Sequence, residues 1–134
     1  MPRVYLDAAT VIYSVEDPPL WGSIALARIA ALRSSGAGLV VSDLVRLECR
    51  VKPLATGSVA LLSEYEAFFA SGALTCVPLT RDVCDHAATI RAQYRFRTVD
   101  ALHLAAALES GCDVFLTNDA HLTGFPELTV ELLR

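Results

Sequence analysis

Four acids in this chain follow or interrupt apolar segments, and together they define a chemistry. Asp7 comes directly after Val4, Tyr5 and Leu6 in "VYLDAAT", and Asp119 closes "VFLTND" after Val114, Phe115 and Leu116. Both apolar runs read as buried strands, so each strand delivers a carboxylate at its carboxyl end. Glu48 lies in "SDLVRLECRVKPL", where its neighbours at helical spacing are Leu44, Val45 and Val51. It therefore interrupts the apolar face of its helix. Asp100 opens a helix whose body, "ALHLAAAL", is apolar nearly all round. In that first turn the helix dipole favours an anion.

Singly, each acid has a plain structural use. Asp7 can cap a helix starting near Ala8, Asp119 can serve a turn, Asp100 can act as a capping-type acid, and Glu48 can reach solvent. Jointly they imply more. Several carboxylates crowded into one area repel and shift toward protonation, and a divalent cation removes that cost. An all-oxygen set suits Mg2+ or Mn2+. No cysteine or histidine stands near these acids in a pattern that favours zinc. His103, one helical turn after Asp100, is expected to be a satisfied core histidine, and His121 to be exposed.

The elements that must position the acids follow from apolar periodicity. Strands are expected at Val4–Leu6, Leu39–Val41, Thr75–Val77, Val114–Leu116 and Leu128–Val130. Helices are expected over Ile24–Leu32, Asp43–Val51, Val59–Phe69, Arg81–Tyr94 and Val99–Glu109. Ser42, Thr80 and Thr98 are the expected N-caps, and Pro53 the expected stop of the second helix. "PPLWG" and "PLATGS" read as surface connections. Alternating strands and helices predict one domain, residues 1–134. It is an α/β fold, a three-layer α/β/α sandwich with a central, mostly parallel sheet. Ligands in such folds bind at the carboxyl ends of the strands.

The 134 residues are 54% hydrophobic and 19% charged, which implies a dense core or a surface covered by a partner. The net charge of −4 is not that of a generic nucleic-acid binder, so any such function must use local arginines or a bound cation. Arginines cluster in "RLECRVK" and "RAQYRFR", and Lys52 is the only lysine. Charges interrupt every apolar run before it can cross a bilayer, and an acid sits in what would be the core of a signal peptide. A cytoplasmic location is expected, with Cys49, Cys76, Cys84 and Cys112 as buried small hydrophobes.

The segments "VYLDAATVIYSVE", "SDLVRLECRVKPL", "RTVDALHLAAALESGCDVFLTND" and "LTGF" resemble PIN-domain ribonucleases, most of all the VapC-type toxins of toxin–antitoxin pairs. The resemblance covers nearly the whole chain and is most specific from Thr98 to Asp119. It implies that Asp7, Glu48, Asp100 and Asp119 hold Mg2+ or Mn2+ and act in cleaving RNA, with Thr117 and Asn118 orienting the last acid. It also implies a homodimer and a VapB-like antitoxin, for which Trp21, Leu61, Leu62, Phe68 and Phe69 are candidate contacts. Two positions depart from the family pattern. Ala8 and Ala9 stand where relatives carry hydroxyl or amide side chains, and Val99 stands where relatives often have proline. A PIN domain that binds RNA or a partner without cutting is the main alternative. A phospho-receiver needs a lysine near the acids, and a haloacid-dehalogenase-like phosphatase needs an aspartate where Ala9 stands.

Overall fold

The computed structural model describes residues 2–134. Its strands are β1 (Arg3–Leu6), β2 (Gly38–Ser42), β3 (Leu74–Val77), β4 (Val114–Thr117) and β5 (Thr129–Leu132). They form one sheet in the order β3-β2-β1-β4-β5, and every pairing is parallel. The helices are α1 (Ala8–Glu16), α2 (Trp21–Ser34), α3 (Asp43–Thr56), α4 (Val59–Phe69), α5 (Arg81–Tyr94) and α6 (Thr98–Glu109). A 3-10 turn spans Ala120–Gly124.

Parallel neighbours need crossovers, and crossovers are right-handed. The chain steps outward from β1 to β2 to β3, then returns past β1 to β4. That reversal puts α1–α4 on one face of the sheet and α5 and α6 on the other. The packing agrees: α1 touches α2, α3 and α4, while α5 packs along α6. The order reverses between β1 and β4, so the crevice for a ligand opens at their carboxyl ends. The two strands are fixed in register by Val4 opposite Val114, Tyr5 opposite Phe115 and Leu6 opposite Leu116. Tyr5, Leu6, Phe115 and Leu116 are fully buried, and the Tyr5 and Phe115 rings stack at 5.2 Å. The register that buries them fixes where Asp7 and Asp119 emerge.

The expected α/β/α architecture and its elements are present, with the sheet parallel throughout, and several local readings are corrected. Pro53 does not stop α3, which runs on to Thr56 and ends at Gly57 in a left-handed conformation (φ 69°). A proline costs its helix one N–H bond, but buried Pro53 packs into the fold and its carbonyl still accepts from Gly57 and Ser58. "PLATGS" is thus mostly helix. Likewise, Trp21 and Gly22 of "PPLWG" already belong to α2. Thr98 lies inside α6, not at its cap, and its hydroxyl accepts from Arg91 Nη1 at 2.9 Å. Strand β5 begins at Thr129, and Leu128 is its buried anchor. Cys49 and Cys112 are buried, but Cys76 and Cys84 are exposed. Trp21, Leu61, Phe68 and Phe69 pack against the core. The exposed apolar residues are instead Leu47, Val51 and Leu54 on α3, together with Leu20, Leu26, Val59 and Val99.

Candidate active site in an acid-lined cleft

Asp7 is the N-cap of α1, as its place before Ala8 predicts. Its Oδ1 accepts from the Thr10 backbone N–H at 2.9 Å and the Thr10 hydroxyl at 2.8 Å. Its Oδ2 accepts from the Thr117 hydroxyl at 2.5 Å. Thr10 and Thr117 thus supply the donors that Ala8 and Ala9 cannot. Burial pushes the Asp7 carboxyl above the ordinary aspartate range, and these donors offset only part of the rise.

The Thr117 hydroxyl also accepts from the Asp119 backbone N–H at 3.0 Å. One oxygen therefore ties the end of β1 to the end of β4. Asp119 caps the 3-10 turn, its Oδ1 accepting from the His121 N–H at 2.9 Å. Asn118 Nδ2 donates to Tyr13 Oη at 2.8 Å, and the Tyr13 ring stacks on Trp21 at 5.6 Å.

The other two acids come from opposite helical layers. Helix α6 carries Asp100 and His103 three residues apart, hence on one face, and both are buried. Asp100 Oδ2 accepts from Arg97 Nε at 3.1 Å. The Arg97 guanidinium is held above its ordinary pKa first by Asp100, then by Asp119 and Glu48. It is the cation nearest the acids. Helix α3 brings Glu48, whose Oε1 meets His103 Nε2 at 2.6 Å. His103 is a satisfied buried histidine, as expected, and the group that satisfies it is one of the four acids. Arg46 and Arg50 lie on the other side of α3, along a shallow groove with Leu47, Val51 and Leu54. His121 is exposed, its ring edge-on to Phe96.

Asp7, Glu48, Asp100 and Asp119 line one cleft of about 190 Å³, with Arg97, His103, Asn118 and Phe115 among its other walls. The donor set is oxygen only, which is what Mg2+ or Mn2+ takes. Glu48, Asp100 and Asp119 each keep one oxygen without a protein donor among the described residues. As the side chains stand, no three acid, histidine or cysteine side chains among the described residues converge on one ion position. Asp100 is turned to Arg97 and Glu48 to His103. The donor chemistry therefore fits a hard divalent ion, and binding one requires some of these side chains to shift; Glu48 can offer its free Oε2 while Oε1 stays on His103.

The sequence reading placed Arg97 in a basic cluster and noted Ser42 only as a cap, and it missed the roles of Tyr5, Ser42 and Thr10 beside the acids. Two signals pointed to them: Thr10 stands three residues after a capping aspartate, and Tyr5 is the one hydroxyl in an otherwise apolar strand.

The sequence profile of the PIN domain matches residues 4–128. This chain belongs to the PIN-domain family. Solved structures share the fold at low sequence identity. VapBC2 from Rickettsia felis, bound to a DNA fragment from its promoter, superposes with a TM-score of 0.78 at 14% identity, covering 98% of this chain and 99% of the other. VapC20 of Mycobacterium tuberculosis, a toxin that cleaves the sarcin–ricin loop, gives 0.72 at 16% identity, covering 94% and 98%. FitAcB from Neisseria gonorrhoeae gives 0.68 at 15%, covering 95% of each chain. No curated protein sequence gives a significant match. Among the described residues, no helix of this PIN domain is long and apolar enough to cross a membrane.

Proposed function

We propose that this PIN domain is a Mg2+- or Mn2+-dependent endoribonuclease, the toxin of a type II toxin–antitoxin pair acting in the cytoplasm. The observation that carries the reading is the gathering of Asp7, Glu48, Asp100 and Asp119, from four separate segments, around one cleft at the sheet's switch point. A divalent ion held by these carboxylates would supply charge neutralisation at a phosphate and make a nearby water more acidic. The chain's own parts do the rest. Thr10 and Thr117 hold Asp7 in one orientation, and Thr117 fixes where Asp119 departs from β4. Arg97, largely exposed at the rim, can turn from Asp100 toward an RNA phosphate.

The structural relatives described as toxin–antitoxin complexes support a VapB-like antitoxin as partner, and a homodimer is proposed on the family resemblance alone. The apolar stripe of Leu47, Val51 and Leu54 beside Arg46 and Arg50 is the surface best suited to such contacts. The second reading, a PIN domain that binds without cutting, draws on the unconverged carboxylates and on Ala8 and Ala9.

Incubation of purified protein with single-stranded RNA and Mn2+ separates the two. Cleavage that stops with excess EDTA, and is lost in Asp119→Asn, supports the nuclease. Retained RNA binding with no cleavage over a range of Mn2+ concentrations refutes it. Expression with and without the neighbouring small reading frame tests the toxin role, through growth arrest relieved by the neighbour.

A further inference from the structure

We infer that His103, Tyr5 and Ser42 form a buried clamp whose task is to position the Glu48 carboxylate. The inference rests on the reading that the four acids hold a divalent ion. The clamp is a continuous line of hydrogen bonds. Ser42 Oγ lies 2.7 Å from Tyr5 Oη, Tyr5 Oη lies 2.8 Å from His103 Nδ1, and His103 Nε2 lies 2.6 Å from Glu48 Oε1. Ser42, Tyr5 and His103 are buried, whereas Glu48 is partly open to solvent. The line therefore runs from the interior to the cleft.

Its polarity follows from the chemistry of each group. An ionised carboxylate only accepts, so His103 Nε2–H donates to Glu48. In the neutral imidazole Nδ1 then accepts, and Tyr5 O–H must donate to it. The Tyr5 oxygen in turn takes the Ser42 proton. With a neutral imidazole every donor points toward Glu48, and the histidine is held as its Nε2–H tautomer.

Packing alone does not require this arrangement. The Tyr5 ring stacks on Phe115 at 5.2 Å, a contact a phenylalanine would make equally well. Ser42 occupies the N-cap position of α3, yet its side chain makes no capping bond. Its hydroxyl faces Tyr5 instead, so the helix forgoes a cap to complete the line. His103 sits among Ala101, Leu104 and Ala105 on a helix otherwise built for burial. Glutamate has three side-chain torsions, and an unheld Glu48 would have to be ordered each time an ion bound. The clamp ties α3 to α6 across the sheet and removes that freedom in advance. Tyr5, His103 and Ser42 are accordingly positioning residues.

The test is Mn2+ titration by calorimetry on the full chain, with melting temperature and RNA cleavage measured on the same samples. Tyr5→Phe and His103→Leu should weaken Mn2+ binding about 10- to 100-fold. Ser42→Ala, at the far end of the line, should weaken it less. His103→Gln, which keeps a donor, should recover part of the loss. Cleavage by Tyr5→Phe should return toward the parental rate at high Mn2+, a rescue that general loosening of the core would not give. The parental Mn2+ affinity in Tyr5→Phe, Ser42→Ala and His103→Leu, alongside weakened binding in Glu48→Gln, would overturn the clamp. Unchanged binding and cleavage in Glu48→Gln would instead remove the four-acid reading on which the clamp depends.

Discussion

The two ends of β1 handle an acid in opposite ways. At the amino end, Asp113 accepts from the Arg3 backbone N–H at 2.9 Å, and the Arg3 carbonyl accepts from the Asp113 N–H at 2.9 Å. Arg3 Nε closes the corner on the Ser110 carbonyl at 3.0 Å. Asp113 is exposed, so solvent serves the oxygen that Arg3 leaves free. At the carboxyl end, Asp7 is met by two hydroxyls and one N–H but by no cation, and it shares its cleft with three more acids. Burial leaves its carboxyl harder to ionise than usual. The acid at the amino end is answered by one backbone donor and by solvent. The acids in the cleft are crowded together and answered incompletely by protein donors, and that difference is what the proposed function rests on.

The largest expected effect breaks the comparison at Asp7. Asp7→Asn should lower RNA cleavage by more than about 100-fold, beyond what loss of a ligand's supporting group gives. In metal-free buffer at neutral pH its melting temperature should equal or exceed the parent's, because the amide carries no charge to desolvate. Cleavage at the parental rate would show that the cleft is not the active site. Thr117→Val keeps the side-chain shape but removes the bridge between Asp7 and Asp119. It should cost about 1–3 kcal/mol in denaturant unfolding and reduce cleavage about tenfold or more.

At the other end, Asp113→Ala should cost about 1 kcal/mol and leave cleavage per folded molecule unchanged. A large activity loss there would dissolve the contrast between the two ends. The smallest effect lies away from both. Burial pulls the Glu16 carboxyl up, but hydrogen bonds from Lys52 and Tyr65, with the Lys52 charge, outweigh it and hold the group below the ordinary glutamate value. A depressed carboxyl stabilises the fold above its unfolded pKa, and that stabilisation is lost as pH falls through the folded pKa. Glu16→Gln should therefore lower stability by about 1 kcal/mol at pH 7, with the difference from the parent vanishing in acid.

Much of this was legible in the sequence. The strand–helix alternation places Asp7 and Asp119 at strand ends, and apolar periodicity alone exposes Glu48 and Asp100 as misfits on their helices. What the sequence hides is pairing across distance. Nothing near Glu48 announces His103, 55 residues on, and nothing near Tyr5 announces Ser42. Local rules also misread two boundaries. Pro53 is a helix breaker by rule, yet the buried packing of α3 outweighs the missing N–H. Thr98 has the right residue type for a cap, but Arg91 takes its hydroxyl. Apolar content alone does not say which side chains stay outside: Trp21, Leu61, Phe68 and Phe69 are partly buried against the core, while the aliphatic stripe on α3 is exposed.

The strand order has a consequence for synthesis. Asp7 and Thr117 are 110 residues apart, and β4, which flanks β1, is made after β2 and β3. A nascent chain on the ribosome carries β1 with one flank bare until β4 emerges, and Asp119 follows later still. The first acid is thus translated well before the fourth. If the finished protein attacks RNA, the cleft that would do so cannot close until β4 and Asp119 have been made.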